Sequence, residues 1–145
     1  MSTLIIEKAK LKNLKDLIYL LFDDDLGKDR ENISETSFNN YKKSFMKILN
    51  DSNNEIFTMV LNDQIIGMMQ LTFIPGLSME GMTRCQIESV RIKKDYRNKG
   101  YGSELMKKGI EIAKLNKCGL IQLTSNKERL KAINFYKKLG FLSTH

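Results

Sequence analysis

Apolar residues recur with two different periods along this chain, and each change of period marks an element. Residues 4–9 alternate loosely, as a first strand would. Leu14, Leu17, Ile18, Leu21 and Phe22 then repeat at helical spacing, with Asn13 and Asp16 placed as a capping signal before them. Asp23-Asp24-Asp25 closes this helix ahead of Gly27. Carboxylates are unfavourable at the negative end of a helix dipole, so the run reads either as a solvated loop or as a rim that attracts cations. Phe38, Tyr41, Phe45, Ile48 and Leu49 predict a second helix, stopped by the polar cluster at 50–54. Two strands, 56–61 and 65–74, turn at Asn62-Asp63, and Pro75-Gly76 ends the second.

Residues 83–93 predict the next strand. A period of two puts Gln86, Glu88, Val90 and Ile92 on one face of it. A helix over 103–116 follows, with Leu105, Met106, Gly109, Ile110 and Ala113 as its apolar stripe. Residues 119–124 give a further strand. Ser125 and Glu128 form a capping box for a last helix, whose stripe is Ala132, Phe135, Tyr136 and Leu139 and whose stop is Gly140. Strands interleaved with helices in this way predict an α/β fold.

Between the strand that ends at Lys93 and the helix that follows lies Arg97-Asn98-Lys99-Gly100-Tyr101-Gly102-Ser103. A helix N-terminus offers unpaired N–H groups and positive dipole, which together attract phosphate. Gly100 and Gly102 let the backbone approach a ligand, while Arg97 and Lys99 bring charge-assisted donors. A dinucleotide fingerprint would need a third glycine where Leu105 stands, and no G-K-[ST] follows, so neither a Rossmann nor a P-loop reading holds.

The loop resembles the R/Q-x-x-G-x-G/A pyrophosphate loop of the GNAT N-acetyltransferases. Ala132-Ile133-Asn134-Phe135-Tyr136-Lys137-Lys138-Leu139-Gly140-Phe141 is similar to that family's A-x-x-F-Y-x-x-L-G-F segment, and the element order fits from about Ile5 to Phe141. The resemblance implies one domain over 1–145: a mixed, mostly antiparallel sheet flanked by about four helices, with a splayed strand pair holding acetyl-CoA. It implies main-chain contacts to pantetheine from Val90 and Ile92, pyrophosphate binding at 97–103, and Tyr136 as the acid that protonates the leaving thiolate. Glu88 is the best-placed carboxylate for a general base; a structural role within the sheet stays open for it, as a core role does for Tyr136. Arg129 stands where the family has asparagine, and Arg129 and Asn134 are candidate CoA contacts. The implied reaction is direct acetyl transfer from acetyl-CoA to a primary amine of a small molecule or peptide. A CoA-binding sensor or interaction module without catalysis is the alternative. The family adds one more strand after L-G-F, so the resemblance implies a short or incomplete final strand, with the chain truncated or the strand supplied by a partner. An exposed sheet edge tends to be paired, which brings in a homodimer. The loop from Pro75 to Gly81 is expected to border the acceptor pocket.

Composition narrows the partners. The 145 residues suit one domain with a single core, and 41% hydrophobic and 28% charged residues are ordinary for a globular protein. The N-terminus has no export signal and no apolar run is long enough to cross a membrane, so a cytoplasmic protein is expected. A net charge of +7 raises nucleic acid, but the lysines are dispersed among acidic residues and no arginine-rich run appears, so that partner is not favoured. Cys85 and Cys118 read as small buried hydrophobes. With one terminal histidine and two cysteines far apart in sequence, no metal site is expected.

Overall fold

The computed structural model describes residues 3–23, 31 and 33–123. The expected last helix, with Arg129, Asn134 and Tyr136, and the question of a final strand lie outside the described residues. The described elements are β1 (Leu4–Lys8), α1 (Leu14–Phe22), α2 (Glu35–Leu49), β2 (Asn54–Leu61), β3 (Gln64–Pro75), β4 (Thr83–Ile92), α3 (Tyr101–Leu115) and β5 (Leu120–Leu123). The sheet runs in chain order, β1-β2-β3-β4-β5. Its first four strands are antiparallel, and β4 pairs with β5 in parallel. A parallel pair needs a crossover, which α3 provides.

Local chemistry explains most boundaries. Asn62 and Asp63 both take positive φ, 48° and 67°, as a two-residue hairpin turn requires. Ser34 caps α2, its Oγ accepting from Ser37 N at 3.2 Å. Asn13 does not cap α1; its Oδ1 accepts from Lys10 N at 2.8 Å and fastens the 3-10 turn Leu11–Asn13 instead. The chain reaches α1 already helical, so α1 has no free first turn for Asn13 to cap. The segment between β3 and β4 is an ordered turn with Met79, Glu80 and Gly81 left-handed, and it leaves Leu77 almost wholly exposed.

The sheet buries both faces. On one, α3 sets Leu105, Met106 and Ala113 against Met69, Leu71, Cys85 and Ile87. On the other, α1 and α2 bring Leu17, Ile18 and Phe45 against Ile56 and Met68. Leu20, outside the expected stripe of α1, is buried because this helix is covered by both the sheet and α2.

One irregularity breaks the expected alternation of β4. Gln70 pairs with Glu88 and Met68 with Arg91, so two residues of β4, Ser89 and Val90, stand opposite Met69. Ser89 is left-handed, with φ 53°. This is a β-bulge, and it reverses the parity of everything after it. Val90 and Ile92 pack into the α3-side core with Cys85 and Ile87, whereas Gln86 and Glu88 face the other way. The single face predicted for Gln86, Glu88, Val90 and Ile92 is therefore two faces, because a period of two cannot register an inserted residue.

The α3 layer lies close to this region. A Cβ at Gly109 would come within 3.2 Å of Ile87 Cδ1 and 3.3 Å of Met69 Sδ. Gly109→Val should overpack the site and cost about 1–3 kcal/mol, read as a lower denaturant midpoint at unchanged slope. An unchanged midpoint would mean that α3 does not hold this distance from the sheet.

Candidate functional site

The candidate site forms where β4 ends and α3 begins. After Ile92 the chain makes the 3-10 turn Lys94–Tyr96, then the loop that leads into α3. Asn98 is left-handed at φ 62° and Gly100 at φ 88°. Asn tolerates that region through local hydrogen bonding, and Gly has no Cβ to oppose it. Among the described residues no side chain caps α3 at Gly100, so its N-terminal donors have no side-chain partner there. Such an end fits an anionic phosphate group. Tyr96 braces the turn: its ring centroid is 6.2 Å from that of Tyr101, and Lys99 Nζ lies 6.0 Å over its face.

Arg97 is engaged by groups outside that helix end. Its Nε donates to Ile92 O at 2.8 Å and its Nη2 to Asp23 O at 3.3 Å, with Asp23 Oδ2 3.9 Å away. Two carbonyls and a carboxylate thus hold the guanidinium in a clamp from the end of β4 to the end of α1. A cation at a helix C-terminus is favourable, so Arg97 also offsets the carboxylate of Asp23 at the negative end of α1. The sequence motif alone suggested a phosphate ligand; the clamp required knowing that α1 ends beside this loop.

The remaining candidates divide between the faces of β4. Val90 and Ile92 are on the α3 side and Glu88 is on the α1/α2 side, with the bulge between them. The β4–β5 pairing is described from Arg84↔Leu120 to Ile87↔Leu123, one residue short of Glu88. An open cleft of about 490 Å³ between α1 and α2, lined by Lys15, Tyr19, Ile33, Glu35 and Phe38 among others, holds none of the predicted site residues.

The cysteines are neighbours, because the parallel β4–β5 pairing brings Cys118 beside Cys85. Burial is the main cause that pushes the Cys85 thiol up to about 11, aided by Cys118, and burial also raises Cys118. Cys85 therefore stays a protonated thiol well above neutral pH, which is unsuited to nucleophilic catalysis. Among the described residues no group of three or more His, Cys, Asp or Glu side chains is gathered to hold a metal ion.

Two outcomes follow. Native protein at pH 8 should leave Cys85 unmodified by iodoacetamide while denatured protein is alkylated there; native labelling would contradict the burial. Arg97→Ala should lower stability by about 1–2 kcal/mol without any ligand present, since it removes charged hydrogen bonds to two carbonyls. A residue serving only as a phosphate ligand would leave the ligand-free protein unchanged.

Comparison with known proteins agrees with this geometry. The profile of the acetyltransferase (GNAT) family matches residues 14–141. A crystal structure described as a transcriptional regulator from Bacillus halodurans C-125 is 38% identical and superposes with a TM-score of 0.93, over 99% of this chain and 95% of that one. A predicted acetyltransferase with acetyl-CoA from Clostridium acetobutylicum shares the fold at 19% identity, with a TM-score of 0.77 over 98% of this chain and 92% of that one. Streptothricin acetyltransferase A from Bacillus subtilis is 44% identical over 57 residues, 39% of this chain and 32% of that protein. An uncharacterised N-acetyltransferase from Methanocaldococcus jannaschii is 38% identical over 56 residues, 39% of this chain and 25% of its own length. The matched stretch thus spans about a quarter to a third of these curated relatives. A family match across most of the chain, on a sheet with a bulged fourth strand feeding an uncapped helix, makes this protein a member of the GNAT acetyltransferase family.

Proposed function

We propose that the protein binds acetyl-CoA and transfers the acetyl group directly to a primary amine of a small molecule or peptide. The observation that carries this reading is the uncapped N-terminus of α3, reached through left-handed Asn98 and Gly100 directly after the bulged strand β4. In this reading residues 97–103 receive the pyrophosphate mainly through main-chain N–H groups. Val90 and Ile92 lie along the pantetheine, and the N–H of Val90 stabilises the oxyanion formed as the amine attacks the thioester carbonyl. Glu88, on the opposite face of β4, takes a proton from the substrate ammonium, directly or through water, to give the neutral amine that attacks. Tyr136 gives a proton to the departing thiolate, and Arg129 and Asn134 contact CoA; these three roles rest on the family motif alone. A relative named for acetylating streptothricin supports a small-molecule acceptor.

The same reading takes residues 1–145 as one acetyltransferase domain, cytoplasmic and able to form a homodimer, with no metal. No helix among the described residues is long and apolar enough to cross a membrane. A second reading, a CoA-binding module with a regulatory role, is favoured by one observation: the 38% identical Bacillus halodurans protein is described as a transcriptional regulator.

Thermal unfolding with acetyl-CoA, dephospho-CoA and ATP tests binding. At about 100 times Kd acetyl-CoA should add roughly 2.7 kcal/mol of stability. Deleting Ser89 tests the bulge: side chains keep their faces, so the fold should persist while stabilisation by acetyl-CoA is lost. No shift at millimolar acetyl-CoA would remove the proposal. Binding without thiol release over an amine panel would leave the regulatory reading instead.

A further inference from the structure

A row of polar side chains lies on the sheet face opposite α3, beside the bulge. Asn54 pairs with Thr72, Thr72 with Gln86, and Gln86 with Gln122, so one straight line crosses β2, β3, β4 and β5. Three strand spacings make it about 14 Å long. Gln70 and Glu88 pair two residues further along, next to the bulge. All six are partly buried. Their neighbours Leu71, Phe73, Cys85 and Ile87 alternate into the α3-side core, which fixes the row on the other face. The cluster under α1 and α2 uses Ile56, Ile65 and Met68, nearer the other end of β3.

The row is held in place rather than left to solvent. Thr72 Oγ1 donates to Asn54 Oδ1 at 2.8 Å and Gln70 Nε2 to the same oxygen at 3.4 Å, while Asn54 Nδ2 donates to Asp51 Oδ2 at 2.8 Å. At the far end Arg84 Nη1 donates to Gln122 Oε1 at 3.2 Å. Between these fixed ends, Gln86 and Glu88 have no side-chain hydrogen-bond partner among the described residues.

We propose that this row binds the acceptor, and that the acceptor is a single primary amine on a neutral, hydroxyl-rich body. The proposal rests on the acetyltransferase reading and deepens it. Glu88, at the bulge, receives the ammonium; Gln86, Thr72 and Gln122 receive the body. A carboxamide presents a donor and an acceptor side by side, which suits hydroxyls that both donate and accept. Polyamines fit poorly. They need several carboxylates, whereas Glu88 shares its face with the cations Arg84 and Arg91, placed there by their pairing with Ile74 and Met68.

The test uses full-length protein with acetyl-CoA and free-thiol release, with glucosamine, n-butylamine and spermidine as acceptors. Glucosamine should have the highest kcat/KM. Gln86→Leu and Thr72→Val should each raise its KM about fivefold to tenfold at nearly constant kcat, the loss expected for hydrogen bonds made equally to substrate and transition state. Both variants should keep the wild-type thermal shift with acetyl-CoA, which shows that they fold. Preference for spermidine, or unchanged KM in both variants, overturns the assignment and leaves acetyl transfer standing. If acetyl-CoA binds but no thiol is released, glucosamine binding to the CoA complex by ligand-observed NMR decides: loss in Gln86→Leu upholds the row, and no wild-type binding overturns it. Absence of both acetyl-CoA binding and turnover removes the acetyltransferase reading and this assignment with it.

Discussion

The extra residue in β4 is the constraint on which the rest of the site depends. Without Ser89 opposite Met69 the β3–β4 ladder would run regularly, with every main-chain group engaged in order. With it, the ladder is interrupted just where the chain turns towards α3. A left-handed non-glycine residue costs energy, of order 1–2 kcal/mol. The surrounding core holds it there: Met69 and Ile87 are fully buried under α3, and Gly109 lets that helix approach closely enough to press on both. Packing, rather than local preference, keeps the bulge in place.

The same feature divides labour between the two sides of the sheet. On the α3 side, apolar Val90 and Ile92 lead to a loop and an uncapped helix end suited to phosphate. On the α1/α2 side, Glu88 stands beside neutral amides and a hydroxyl. In the proposed reaction the donor comes from one face and the acceptor from the other, and the two meet beside β4 at the bulge. The Arg97 clamp connects these halves mechanically, since it ties the loop before α3 to the end of α1 through carbonyl oxygens of Ile92 and Asp23. The acidic end of α1 is thereby accounted for at Asp23 as an internal partner.

Element existence and order were legible in the sequence because they rest on short-range chemistry. Helical spacing marked α1, α2 and α3, the Asn62-Asp63 pair marked the hairpin, and the glycine loop marked the start of α3. The Asn13 signal misled because the chain had already turned into a 3-10 helix before it, so the side chain was used one turn earlier. The cysteines looked remote because sequence separation carries no information about a parallel strand pair.

By itself the sequence determined the α/β class, the segments that form the described strands and helices, and the loop that leads into α3. Each follows from residue type and spacing within a few positions. The tertiary structure decided which face each β4 residue occupies, what Arg97 holds, and that Asn54, Thr72, Gln86 and Gln122 form one line. Those facts depend on register between strands, and a single inserted residue changes register without changing the local pattern that predicts the strand.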